Sequence, residues 1–445
     1  MKTMLVLSMG ALLLAGTLSA QTPVPEWQAG VDKVKNLIQS NPAQASEEAG
    51  ELLKGKNKKN VDLVTSVAHV YLDAGKITEA QEYLAMAKKA NNKDPKVSVL
   101  EGDIALAQKN IGQACQLYFD PNCKEAYLKY AQAYKSASPT QAIEKLEQLK
   151  AVDPNCLEAD RELAEVYYSG NRFGKAAEMY AKFIDTPLAT EDDMLKYAFA
   201  LFLNHDFEKS LQVAQKGLQK NARHAAFNRL VMYNNTDLKR YEDAEKAADA
   251  FFNASDRADY SYLDYRYYGA LLSALKKYDK AIIEYGKALD KDDTQVDLWR
   301  EISDAHEMNN NYAEAIAAYR KYYDALAKEK KTPETLFQLG RLYYGQGTSS
   351  DSLAVQPADS VFTLVSEQAP DSYLGEMWRA RTNSAMDPET TDGLAKPYYE
   401  KVMDMLLSKN EPKYNSALIE CYSYLGYYYL LKSDYPTSKE FWNKI

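Results

Sequence analysis

Small residues recur along this chain at a nearly constant interval, and that interval restricts its possible folds more than any other feature. The successive spacings are 34, 28, 34, 34, 34, 37 and 34 residues. The residues of the series are Ala80, Ala114, Ala142, Ala176, Ser210, Ala244, Ala281 and Ala315. A period of this length indicates a repeat architecture, in which each unit packs on the next.

Two further positions repeat in the same register. A second small residue lies twelve residues before most members of the series, and a large residue often lies four residues after them. The upstream set is Ala68, Gly102, Ala164, Ala198, Gly269 and Ser303. The downstream set is Leu84, Tyr118, Leu146, Tyr180, Tyr285 and Tyr319. Because the apolar residues also follow a helical period, we expect pairs of helices that approach closely at the small residues and stack pair on pair.

On these positions the chain resembles the tetratricopeptide repeat family, whose 34-residue unit has small and aromatic residues at fixed places. Residues 157–187 match that pattern with Ala164, Tyr167, Ala176 and Tyr180. The resemblance implies an all-α, right-handed superhelical solenoid of about 10–11 antiparallel helix pairs. It also implies a binding groove lined by the first helix of each pair.

The register divides the chain into segments, and its late units are too long. The segments are a divergent helix pair at 21–60, a regular array at 61–325 and irregular units at 326–445. Inserts at 345–356 and 383–396 are expected to delay the second helices to Ala358 and Ala395, and the final second helix is expected near Pro436. The inserts are either tolerated surface loops or a partner-binding edge.

The charge balance excludes some classes of partner. With 63 acidic and 54 basic side chains, the chain has a formal net charge of −9. A nucleic-acid groove requires a basic stripe, and an anionic membrane surface attracts basic segments, so we expect neither partner. Hydrophobic residues make up 46% of the chain, enough to bury a sizeable core.

The N-terminus has the pattern of a signal peptide at residues 1–20. Lys2 precedes an apolar run at 4–15, and Leu18-Ser19-Ala20 offers a cleavage site before Gln21. The alternative is an N-terminal membrane anchor, but the run is short for a membrane span. We therefore expect an exported protein of the periplasm or envelope.

Catalytic and metal-binding motifs are absent from the sequence. The four histidines have no metal-ligand spacing, and neither a phosphate loop nor a nucleophile elbow occurs. A short turn could bring Cys115 and Cys123 together as a disulfide, with free buried thiols as the alternative. We expect no enzymatic activity, no metal and no cofactor.

A row of arginines is the most distinctive candidate site. At one groove position of the implied family pattern stand Arg161, Arg229, Arg266 and Arg300, and neighbouring groove positions hold Tyr168, Tyr233 and His69. Arginine can fork onto a carboxylate and stack on aromatic rings, so such a row suits a bound peptide. The alternative is that each arginine pairs with an acid one turn away, as Arg161 with Glu165 and Arg300 with Asp304.

These patterns favour a non-enzymatic scaffold or adaptor that binds proteins or peptides through the groove. The 35 tyrosines suggest a second hypothesis, a glycan-binding component of an outer-membrane uptake system. Packing also explains the tyrosines, because many of them occupy expected core positions. A repeat fold hosts many unrelated partners, so the fold alone names none of them.

Overall fold

The structure is a computed structural model that describes residues 24–118, 120, 123–256, 258–350, 355–409 and 411–445. The predicted signal peptide at residues 1–20 lies outside these residues. Over the described range the regular structure is helical, with no β-strand. The 24 α-helices of this range form twelve successive pairs, slightly more than the spacing predicted. The expected all-α repeat fold is confirmed.

The chain forms two compact units, one ending at Asp193 and the other beginning at Met194. The helices of the first unit are α1 (Gln28–Ser40), α2 (Pro42–Leu52), α3 (Val61–Asp73), α4 (Ile77–Asn91), α5 (Pro95–Ala107), α6 (Ile111–Leu117), α7 (Lys124–Tyr134), α8 (Pro139–Val152), α9 (Leu157–Ser169) and α10 (Phe173–Phe183). Helix α11 (Glu191–Leu203) contains the boundary.

The second unit continues the same alternation of first and second helices. Its helices are α12 (Phe207–Lys220), α13 (Ala225–Asp237), α14 (Tyr241–Asp249), α15 (Tyr262–Ala274), α16 (Tyr278–Lys291), α17 (Asp297–Met308), α18 (Tyr312–Ala325), α19 (Pro333–Ser350), α20 (Gln356–Gln368), α21 (Leu374–Met386), α22 (Lys396–Lys409), α23 (Asn415–Leu431) and α24 (Tyr435–Trp442). A π-helical turn at Ala250–Ala254 follows α14.

Each unit is built from contacts between neighbouring helices. In the first unit, α3 packs on α4 of its own pair and on α5, the first helix of the next pair. In the second unit, α15 packs in the same way on α16 and on the preceding first helix, α13. This stacking buries the apolar faces that a single helix pair cannot cover.

The predicted small residues are the points where helices come closest. A Cβ atom on Gly102 would lie 2.4 Å from the ring of Tyr118, and one on Gly269 would lie 2.6 Å from the ring of Tyr285. Both tyrosines are buried. The spacing of small and large residues in the sequence therefore corresponds to a direct contact between glycine backbone and aromatic ring.

Serine replaces alanine or glycine at some of these close approaches, and its hydroxyl is hydrogen-bonded. In each case the serine donates to a backbone carbonyl twelve residues away across the helix pair, at 2.8 Å. The pairs are Ser210 with Ala198, Ser303 with Ala315 and Ser438 with Gly426. A serine hydroxyl buried this way costs little, because its hydrogen bond replaces one to water.

The turn inside many helix pairs uses a residue in the left-handed conformation. At the first of these turns the residue is Gly75, with φ of 73°, and the amide of Lys76 donates to the carbonyl of Tyr71. This is the Schellman arrangement that ends a helix. At later turns the left-handed residue is not glycine, and the residues are Lys109, Asn171, His205, Lys239, Lys276, Asn310 and Ser433.

The first insert is partly helical, which corrects the expectation of a loop over 345–356. Helix α19 continues to Ser350, and residues 351–354 lie outside the described range. A Cβ atom on Gly345 would lie 2.5 Å from the ring of Tyr312, so a glycine permits the extended helix to pass this ring. The second helix, α20, contains buried Ala358 as predicted.

The second insert is an ordered loop that follows the last turn of α21. Its centre is the carboxylate of Asp387, which accepts hydrogen bonds from the backbone amides of Thr391, Asp392, Gly393 and Leu394 at 2.7–3.3 Å. Burial opposes ionisation, but these amides outweigh it and lower the pKa of Asp387. The loop is therefore held by one ionised side chain.

The four cysteines are free thiols, so the disulfide alternative for Cys115 and Cys123 is not realised. Cys115, Cys156 and Cys421 are buried. Burial raises the pKa of the Cys115 thiol to about 11, which keeps it protonated and unreactive at neutral pH.

Two glycine substitutions within one helix pair should have opposite effects on stability. Gly269→Ala places a methyl group against the ring of Tyr285 and should destabilise the protein by about 1–3 kcal/mol. Gly286→Ala, on α16, meets no atom within 4 Å and should stabilise it by about 0.5–1 kcal/mol through helix propensity. Urea denaturation followed by circular dichroism measures both changes, and equal effects of the two substitutions would contradict the close-packing account.

Candidate functional site

Arg229, near the start of α13, reaches across to the next first helix. Its Nε donates to Oδ1 of Asp264 at 2.7 Å, and its Nη2 donates to Oδ2 of the same carboxylate at 3.1 Å. Asp264 is fully buried. Burial alone would lower the pKa of Arg229, but the hydrogen bonds and charge of Asp264 raise it. The guanidinium of Arg229 is therefore held in an ion pair with Asp264.

The carboxylate of Asp264 also caps its own helix. It accepts hydrogen bonds from the backbone amide and hydroxyl of Ser261, the N-cap residue of α15, at 2.7 and 3.0 Å. The hydroxyl of Tyr233 donates to it as well, at 2.8 Å. Asp264 thus caps the N-terminus of α15 and also connects α15 to α13 of the previous pair.

Arg161 makes the same arrangement in the first unit. Its Nε donates to Oδ1 of Asp193 at 3.0 Å, and Nη2 lies 2.9 Å from Oδ2. Asp193 accepts from the amide and hydroxyl of Thr190 at 2.8 and 2.6 Å. The predicted intrahelical partner, Glu165, accepts a hydrogen bond from Tyr180 instead. Arg161 therefore pairs with a helix-capping aspartate, as Arg229 does.

The other two arginines of the row are also engaged. Arg266 donates twice to Oε1 of Glu301 on α17, from Nε at 2.9 Å and from Nη2 at 2.5 Å. The guanidinium of Arg300 lies over the ring of Tyr322, 5.8 Å from its centroid. Arg229 and Arg266 have no acid one turn further along their own helices. Both are nevertheless paired, because their partners Asp264 and Glu301 lie one repeat further on.

A fourth arginine that pairs with a carboxylate on another helix was not predicted from the sequence. Arg381 on α21 donates to both carboxylate oxygens of Glu420 on α23, at 2.9 and 2.7 Å. A sequence signal does exist for two of the acids, because Thr190 precedes Asp193, and Ser261 precedes Asp264, with the spacing of a capping box.

The remaining predicted groove residues are largely packed. Tyr233 is only 3% exposed and stacks on Tyr267 with ring centroids 3.9 Å apart. It therefore packs behind a residue that lines the α13–α15 cavity described below. Tyr168 is half-buried and meets Phe173 edge-on. His69 is half-buried, with Nδ1 and Nε2 each 2.9 Å from an acceptor, the carbonyl of Thr65 and the carboxylate of Asp103.

Two neighbouring cavities open between first helices of the second unit. The α13–α15 cavity, of about 390 Å³, is lined by residues that include Asp237, Arg266 and Tyr267. The α15–α17 cavity, of about 380 Å³, is lined by Ala270, Ser273, Tyr278, Tyr285, Glu301, Asp304, Ala305 and Met308. Ala270 and Glu301 line both cavities.

Removing Arg229 should destabilise the protein, because it strands a buried carboxylate. Arg229→Met keeps an apolar stem but removes both donors to Asp264, and we expect a loss of about 2–4 kcal/mol. Arg223→Met is the matched control, because its partner Asp256 is exposed; the two side chains are 64% and 54% exposed, so the expected loss is at most about 1 kcal/mol. Similar shifts of the urea midpoint in both variants would contradict a stabilising role of the Arg229–Asp264 ion pair.

Comparison with known proteins gives one family. A family model for the tetratricopeptide repeat matches residues 132–187 and 269–330. No curated protein matches the sequence significantly. Among solved structures, the C-terminal part of a TPR repeat-containing protein from Cytophaga hutchinsonii is 30% identical, covers 56% of this chain and 93% of that chain, and has a TM-score of 0.46.

Two further solved structures are more distant. A tetratricopeptide repeat protein from Parabacteroides merdae is 14% identical, with a TM-score of 0.34 and coverage of 55% of this chain and 98% of that chain. Yeast Tom70 is 13% identical, with a TM-score of 0.31 and coverage of 85% and 91%. The family-model matches, together with helix pairs that repeat in the predicted register, show that this chain belongs to the tetratricopeptide repeat family.

Proposed function

We propose that this chain is a non-enzymatic scaffold or adaptor that binds a protein or peptide along its first helices. The observation that carries the proposal is the pair of adjoining cavities on α13, α15 and α17, separated by the exposed Ala270. Two adjoining cavities, each with room for at least one side chain, suit neighbouring side chains of an extended segment. The fold family acts generally by holding other proteins, which favours the same conclusion.

The arginine row takes a revised role in this proposal. Arg229 and Arg266 pair with Asp264 and Glu301 on the next first helix of the second unit and hold the spacing between these helices. Arg161 pairs in the same way with Asp193. We propose that they preserve the shape of the binding surface, and that ligand contacts come from the cavity-lining residues between them. A preformed surface reduces the ordering cost of binding.

The glycan-binding alternative loses its main support, the excess of tyrosine. Tyr118, Tyr180, Tyr285 and Tyr319 of the repeat pattern are buried, and the rings of Tyr118 and Tyr285 pack on the backbone of Gly102 and Gly269. A sugar-stacking platform requires exposed rings. Packing therefore explains these tyrosines directly.

The proposed cellular location is the periplasm or envelope. Its support is the charged, apolar and small-residue order of residues 1–20. Within the described residues, no helix has both the length and the apolarity needed to cross a bilayer.

Site-specific photocrosslinking tests the binding surface. A photoreactive amino acid at Ala270 should give discrete crosslinked products in intact cells, because this position separates the two cavities. The same residue at Ile283, which is 58% exposed on the second helix α16, is the control and should give few. Equal products at both positions, or none at Ala270, would count against a partner in this groove.

Processing of the N-terminus tests export. The protein expressed in a bacterium with its full N-terminus should appear in the envelope fraction with Gln21 as its first residue, because cleavage follows the small residue Ala20. Intact-mass measurement and N-terminal sequencing give the answer. Replacing Ala20 with a bulky arginine should leave the precursor uncleaved. A mature protein that retains Met1 in the cytoplasm would refute this assignment.

A further inference from the structure

We propose that the α15–α17 cavity binds the cationic side chain of a lysine or arginine in the partner, with Asp304 and Glu301 as counter-charges. This inference rests on the proposed function and specifies the chemistry that the groove recognises. Ala270, which is exposed, lines this cavity and the adjoining one.

The polar lining of this cavity matches a cation. It consists of two carboxylates, on Glu301 and Asp304, and of hydroxyl groups, while none of its described lining residues is basic. The adjoining α13–α15 cavity differs, because Arg266 lines it and the hydroxyl of Tyr267 already donates to Asp237 at 3.0 Å. Charge complementarity therefore assigns the basic residue to the α15–α17 cavity.

Glu301 contributes an acceptor that the fold leaves unused. Both hydrogen bonds from Arg266 go to Oε1, while Oε2 is buried and accepts no hydrogen bond from the described residues. A buried acceptor without a donor costs free energy. A cationic donor that displaced the groups covering this oxygen would recover that cost.

Asp304 lines the cavity and is exposed to solvent. Burial by the groove walls raises its pKa, the nearby charges of Glu307 and Glu301 raise it further, and Arg300 partly opposes them. The ionised carboxylate is thus less favourable here than in water, so an approaching cation is attracted more strongly than at an open surface.

The apolar part of the lining suits the stem of the same side chain. Ala305 and Met308 on α17 offer a surface for the methylene groups of lysine or arginine, which pack on apolar atoms while the charged end reaches a polar group. The small side chain of Ala270 keeps the entrance open.

Peptide selection tests this inference. Random dodecapeptides displayed on phage would be selected on the wild-type protein, on Asp304→Asn and on the control Asp290→Asn, which removes the same charge from the exposed outer side of α16. The wild type and the control should enrich peptides with lysine or arginine at one fixed position. Asp304→Asn should lose that preference.

A blocking substitution gives an independent test without a change of charge. Ala270→Phe fills the shared entrance on an exposed position, so the fold should survive, as circular dichroism would verify. The basic preference should disappear. For a peptide selected on the wild type, replacing its basic residue with glutamine should weaken binding about tenfold to the wild type and little to Asp304→Asn.

The outcomes separate this inference from the proposed function. If no peptide is enriched on the wild type, peptide binding in the groove is refuted and the inference with it. If peptides are enriched without a fixed basic residue, or if Asp304→Asn and Ala270→Phe keep that residue, only the inference is overturned.

Discussion

The contact between a helix backbone and an aromatic ring, which recurs at Gly102, Gly269 and Gly340, is the interaction on which the packing within these helix pairs depends. Where Gly269 faces Tyr285 or Gly102 faces Tyr118, a single methyl group would already be too large. Protein interiors are close-packed, so the distance between the two helices of a pair is fixed by these residues. Tyr285 also lines the α15–α17 cavity, so the contact with Gly269 helps to shape that cavity.

A second constraint acts between pairs. Asp264 combines two tasks, because it caps the start of α15 and receives Arg229 from the preceding pair. Asp193 likewise accepts hydrogen bonds from Thr190 and pairs with Arg161. A buried ion pair contributes little net stability over a well-packed apolar contact, but it is intolerant of misalignment. We therefore interpret the ion pairs of the arginine row as contacts that set the register between neighbouring helices. Other side chains provide the binding surface.

The parts of the fold that depend on local pattern could be predicted from the sequence, and those that depend on tertiary pairing could not. The small and large core positions were read from spacing, and so was the late start of the helix that contains Ala358. The partners of Arg229 and Arg266 lie 35 residues away, beyond any intrahelical rule. The extension of α19 to Ser350 and the cavities beside Ala270 also depend on neighbouring helices, which no single segment encodes.

The left-handed turns allow the stability of each repeat that contains one to be adjusted separately. A side chain such as that of Lys276 or His205 pays a steric penalty of about 1–2 kcal/mol in this conformation, which glycine avoids at the cost of chain entropy. These turn residues lie between the helices of a pair, while the cavities lie between first helices. Substitutions of ligand-facing residues can therefore destabilise one repeat without lasting harm. Replacing the left-handed turn residue of that repeat with glycine would restore stability and leave the binding surface unchanged.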